Sequence, residues 1–178
     1  SFSSQNWQAL IPQQASFIII PEEGVNVQDI AAKPYFSYLD DLTPSSVQQV
    51  ASLNPDFSSQ LDLKALALLP ATSTSSRFLW VAESASQPLD KWASRFYQPF
   101  TQNKYDYKGH VIHKLFFNNT EVFAAQAGGW IVLSEASLAV EQALRTFNKE
   151  LPPAALKNNL QSGSLVVNTP SLDHWVEQ

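Results

Sequence analysis

The sequence predicts an α+β domain: a mainly antiparallel sheet of about six or seven strands with helices packed on it. Three observations carry that expectation. Short apolar runs of strand character recur along the 178 residues. Two of them are separated only by Gly128-Gly129, a two-residue connection whose tolerance of positive φ suits a hairpin. Between the runs stand segments with apolar residues three and four apart, the spacing of an amphipathic helix. Strands that come in twos and threes, rather than alternating singly with helices, place the sheet in the α+β class.

Residues 1 to 14 are polar apart from Phe2, Trp7, Leu10 and Ile11, and read as an entry arm or a short helix. Ser16-Phe-Ile-Ile-Ile20 is a continuous apolar run stopped by Pro21, which predicts a strand buried on both faces. A helical pattern starts at Asn26 and breaks before Pro34, because the residue preceding proline is pushed out of the α region. A second helix starts at Thr43-Pro44, with Thr43 as cap and Pro44 where its missing N–H costs nothing. Leu61 to Leu69 and Arg77 to Ala82 form a hairpin of buried strands across a polar turn. From Ser86 to Phe100, the spacing of Leu89, Trp92, Phe96 and Phe100 predicts an amphipathic helix with all four, like Trp80, in the core. Three strands follow, His110 to Phe117, Val122 to Ala127 and Trp130 to Ser134. Ser134 or Ser137 caps a last helix with Val140, Leu144 and Phe147 on its inner face.

One domain is expected over residues 1 to 160, since a chain of this length buries roughly 70% of its unfolded surface. Charged residues make up 15% of the chain, against about 25% in typical soluble domains. Ser, Thr, Asn and Gln must therefore cover the surface, a style more often met in exported proteins. The chain has no Cys, which excludes disulfides and thiolate chemistry. It also has no Met, so Ser1 is expected to follow a processing or excision point, with any leader or anchor lying before it. A net charge of -5 with 11 dispersed Lys and Arg gives no footprint for nucleic acid. No apolar run reaches the length of a membrane-spanning helix.

Residues 161 to 178 repeat the way the chain starts. Ser164-Leu-Val-Val-Asn168 is followed by Thr169-Pro170, as Ser16-Phe-Ile-Ile-Ile20 is followed by Pro21. The two runs lie about a domain's length apart. Two readings are open: Leu165 to Val167 completes the sheet of the first domain, or it opens a second copy. The element order and the Ser-led strands resemble the tandem α+β units of uncharacterised bacterial envelope or secreted proteins. That resemblance implies an extracytoplasmic module of a longer bacterial protein, and it carries no catalytic residues.

The candidate chemistry is sparse. His110 and His113 have metal-ligand spacing on a helix, but on a strand residues three apart face opposite sides; one is expected at the surface and the other satisfied against the sheet. His174, the only other imidazole, lies in the tail, and a catalytic zinc needs three converging protein ligands, so no metal and no cofactor is expected. The acids Glu22-Glu23 and Asp40-Asp41 form adjacent pairs, and Asp29, Asp56, Asp62, Glu83 and Glu121 are scattered. No HExxH, phosphate loop or GxSxG elbow is present. Asn118-Asn119-Thr120 fits a glycosylation acceptor. Tyr105, Tyr107 and Trp130, with Trp7, are the aromatics least explained by a core, and the first three are the candidate ligand-binding residues. The leading expectation is a non-enzymatic scaffold or protein-interaction module at the cell envelope. The alternative is a carbohydrate-binding or glycoside-hydrolysing domain using exposed aromatics and a carboxylate pair.

Overall fold

The computed structural model describes residues 6–21, 61–70, 76–84, 87–117, 120–156 and 165–167. The fold is α+β and dominated by one antiparallel sheet. Its strands are β1 (Phe17–Ile19), β2 (Leu61–Pro70), β3 (Ser76–Ser84), β4 (Lys104–Tyr107), β5 (His110–Phe117), β6 (Thr120–Ala127), β7 (Trp130–Ser134) and β8 (Leu165–Val167). They lie in the order β4-β5-β6-β7-β3-β2-β1-β8, and every pairing is antiparallel. Eight strands exceed the expected number because Lys104–Tyr107, too polar to show an apolar run, also pairs.

Alternation along the strands sorts the core into two layers. On one face Leu66, Leu68, Phe78, Trp80, Leu115 and Leu133 pack with Leu89 and Trp92. On the other, Ile18, Ala67, Val81, Ile112 and Val132 pack with Leu10, Val140 and Leu144. Ile18 and Ile19 fall in different layers, so β1 is buried on both faces as its unbroken apolar run predicts. The β2–β3 hairpin forms in the expected place. The β6–β7 hairpin does too, with Gly128 at φ 59°.

Helices contribute less than the sequence suggests. Helix α2 (Ser137–Phe147) lays Val140 and Leu144 on the sheet as expected, but its N-cap position is Ala136, with no side-chain cap. Ser134 Oγ instead accepts from the Ala136 N–H one step earlier, at 3.1 Å. The expected helix from Ser86 to Phe100 is cut to one turn, α1 (Leu89–Trp92), running into a 3-10 turn at Ala93–Phe96. The apolar stripe holds only that far: Leu89 and Trp92 are buried, and the Trp92 and Phe96 rings meet edge to face at 6.2 Å.

Phe100 corrects the core expectation, being fully exposed with φ 62°. Past the 3-10 turn the chain is already extended at Tyr97, and Pro99 follows; Asn103 then ties this segment into a turn. Its Oδ1 accepts from the Gln98 N–H at 3.0 Å, and its Nδ2 donates to the carbonyls of Gln98 and Thr101 at 3.0 and 3.1 Å. Asn is favoured in such turns for this reason.

The entry arm forms a 3-10 turn at Trp7–Leu10. It is tied to the segment after α2 by a bridge between Pro12 and Pro153 and by the Ala154 N–H donating to the Ile11 carbonyl at 2.9 Å. The expected helices after Asn26 and Thr43, the turn at Thr72, Asn118 and Asn119 of the acceptor triplet, and everything after Val167 lie outside the described residues. Among the described residues no helix is long and apolar enough to cross a membrane.

Candidate functional site

Among the described residues, convergent polar groups meet a cavity beside α1, on the β4–β5–β6 end of the sheet. An open cleft of about 420 Å³ is lined there by Leu89, Asp90, Lys91, His110, His113 and Gln126, among others. Its size falls within the range of small-molecule sites.

His113 reaches this cleft from β5. Residues 111, 113 and 115 of the strand face the α1 layer, and Leu115 belongs to that core. The imidazole is 5% exposed, and its Nδ1 lies 2.6 Å from the Tyr97 hydroxyl, with the two rings stacked. Tyr97 is placed by the 3-10 turn that ends at Phe96, where the backbone goes extended. Burial pushes the His113 pKa down, the Lys104 charge acts the same way, and Asp90 opposes them. Burial and Asp90 push the Tyr97 phenol up. Both shifts favour the uncharged partners of this bond.

His110 lies on the other face, as strand geometry requires. Its ring meets Phe147 of α2 edge to face at 5.9 Å, and Nε2 bonds the Asn148 Oδ1 at 2.9 Å. Asn148 in turn donates to the Lys108 carbonyl at 3.0 Å, fastening the β4–β5 turn to the end of α2. Both histidines border the cleft without sharing a centre, because the strand runs between them. Among the described residues no group of three His, Cys, Asp or Glu could hold a metal.

The amide among the liners is also engaged. Gln126 Oε1 accepts from the Leu89 N–H at 2.7 Å, standing in for a cap at the start of α1, and its Nε2 donates to the Gly128 carbonyl at 3.1 Å. Asp90 and Lys91 are the exposed charges of the rim. Chemically the cleft offers two hydrogen-bonded imidazoles, the His113 one made less basic by burial, and a rim with one charge of each sign. Sequence reading singled out His113 but missed Tyr97, which is off the apolar stripe of its segment and carries no local signal of its partner.

The aromatic candidates Tyr105, Tyr107 and Trp130 all pack against the α2 layer and are half-buried. The Tyr105 hydroxyl donates to Glu141 Oε1 of α2 at 3.1 Å. Burial, then this bond and the carboxylate charge, push the phenol up to about 12. Tyr107 pairs with His110 on β5, and Trp130 pairs with Glu83 on β3 and Ala127 on β6. Tyr107 and Trp130 are therefore three strand spacings apart, about 14 Å, with His110 and the buried Ala127 between them.

Of the carboxylates, Glu22-Glu23 and Asp40-Asp41 lie outside the described residues. Asp62 and Glu83 are cross-strand partners. Lys64, at the bulge between Leu63 and Ala65, bridges them at 3.1 and 3.8 Å.

Glu135 shows the same use of a charged group in the frame. Strand β7 ends before it can pair with Phe78, and the Glu135 Oε1 accepts the Phe78 N–H at 3.1 Å in place of a strand carbonyl. Burial raises its pKa, partly offset by this and other hydrogen bonds. Comparison with protein families, with curated proteins and with solved structures gives no match to this chain.

Proposed function

We propose that this chain is a non-enzymatic, extracytoplasmic scaffold or interaction module of a longer bacterial envelope or secreted protein. One observation carries the reading: the two imidazoles and the amide that line the cleft are each hydrogen-bonded to a neighbouring side chain or to the backbone, which leaves Asp90 and Lys91 as exposed charges on the rim. His113 is bonded to Tyr97, His110 to Asn148, and Gln126 to both Leu89 and Gly128. A general base needs its proton acceptor directed at a reactant within about 3 Å; these groups instead fasten α1, the β4–β5 turn and α2 to the sheet. The low charge and the polar uncharged surface support export.

A substrate panel covering glycoside, ester and peptide hydrolysis tests the reading. No turnover is expected. Turnover that His113→Gln abolishes in a folded protein overturns it in favour of catalysis. Binding to a glycan array that Trp130→Ala or Tyr107→Ala weakens overturns it in favour of the carbohydrate alternative.

A further inference from the structure

Strand β8 lies along the side of β1 that β2 leaves free, with Phe17 opposite Val167, Ile18 opposite Val166 and Ile19 opposite Leu165. Aligned by the serine that opens each run, Phe17, Ile18 and Ile19 correspond to Leu165, Val166 and Val167. The observed pairs are thus first with third, second with second, third with first. Phe17–Ile19 and Leu165–Val167 are thus paired throughout, and a local two-fold axis passes through the Ile18 and Val166 pair.

The parity of this register fixes the direction of that axis. Residues directly opposite each other in neighbouring strands share a face. Pairing the second residue of one run with the second of the other keeps equivalent positions on the same face, so the axis stands perpendicular to the sheet. A slip of one residue would turn the second run over.

The two edges of the unit that ends in β1 differ in kind. The β4 edge is four residues long and carries exposed Lys104 and Asp106, devices that discourage strand addition. The β1 edge is Phe-Ile-Ile, without a charge or proline inside it. It is built to be paired.

We infer that β8 is the first strand of a second domain of the same kind, and that two such domains join edge to edge through their first strands. The two-fold axis makes the sheet continuous, with the α2 layers of both domains on one side. The outer side of β8 is then the place of that second domain's own second strand. This deepens the module reading by naming the partner as another copy of the domain; turnover in the substrate panel would overturn that reading and leave the pairing standing.

A tandem chain tests it, residues 1 to 163 followed directly by residues 16 to 163, so that a second Ser16 takes the place of Ser164 and no copy of Leu165–Val167 competes for the edge. Both copies are expected to fold, and the copies of Ile18 should face each other. The natural chain has no Cys, so Ile18→Cys in both copies reports alone. Opposed strand residues have Cα atoms about 4.5 to 5.5 Å apart, within disulfide range, and near-complete oxidation to an internal disulfide is expected. Two free thiols in the folded tandem chain overturn the inference.

Val166→Pro in the 178-residue chain provides the complementary measurement, since proline cannot donate to the ladder. With β1 uncovered, light scattering should show a dimer that Ile18→Cys links covalently. A folded monomer with a free thiol contradicts the proposed self-pairing.

Discussion

Glu135 gives the sharpest quantitative test of how the sheet is closed. Its carboxylate accepts the Phe78 N–H where β7 has run out, and Phe78 itself is 1% exposed. Glu135→Ala removes the acceptor and leaves a backbone donor in the interior, which costs about 1–3 kcal/mol. For a domain of this size each kcal/mol moves the unfolding midpoint by about 2–4 °C, so a fall of roughly 2–12 °C is expected. Glu135→Gln keeps an acceptor oxygen and discards the charge. Because burial raises the Glu135 pKa in the folded state, the charged form is the disfavoured one, and the Gln variant should match or exceed the natural protein at neutral pH.

The sign follows from proton linkage. The folded state takes up this proton before the unfolded state does, so the burial penalty present at neutral pH is relieved as pH falls through the folded pKa towards the ordinary value of 4.5. Differential scanning calorimetry across that window should show Glu135→Gln lacking this contribution. If Glu135→Ala is as stable as the natural protein, the bond is not holding β3. If Glu135→Gln falls as far as Glu135→Ala, charge rather than the acceptor is what matters.

Two further predictions concern the hairpin and α2. Gly128→Ala should lose about 1–2 kcal/mol, the cost of holding an L-residue in the left-handed region. The cause is backbone rather than crowding, because Gly128 has φ 59° and its added Cβ would only touch Phe147 at 3.7 Å. Gly129→Ala meets open space at no positive φ and should be near neutral, so urea unfolding that ranks the two equally contradicts the turn geometry. In an ultraviolet titration of phenolate, Tyr105 should ionise near 12 rather than near 10. The unfolded phenol gives up its proton first, so stability falls as pH rises through that interval. Tyr105→Phe should remove this late phase and Glu141→Gln should move it to lower pH. A titration unchanged by both variants shows that the bond to α2 is not made.

The strands were legible because their signal is local. The Ser16–Ile20 run, the Leu61 hairpin and the Gly128-Gly129 turn each state their conformation within a few residues, through alternation, β-branching or a tolerance of positive φ. So did the inner face of α2, and the separation of His110 from His113 by strand geometry. Helix α1 and strand β4 were not legible, for opposite reasons. The stripe from Leu89 to Phe100 is genuine as far as Phe96, but the backbone turns extended at Tyr97 ahead of Pro99, and the Asn103 side chain holds Gln98 and Thr101 in a turn beyond it. Lys104–Tyr107 has no apolar run at all, and is a strand because β5 offers it partners.

The site divides along the same line. Sequence alone determined the residue inventory: no thiol, three imidazoles, scattered acids, and two Ser-led apolar runs a domain's length apart. Tertiary structure alone decided which of these groups meet. It placed the Tyr97 phenol on His113, carried Glu141 to Tyr105, gave the Phe78 N–H to Glu135, and set β8 against β1 in a register centred on Ile18. The physical reason is that a side chain's partner is fixed by the path of the backbone between them, whereas periodicity reports only the face on which that side chain sits.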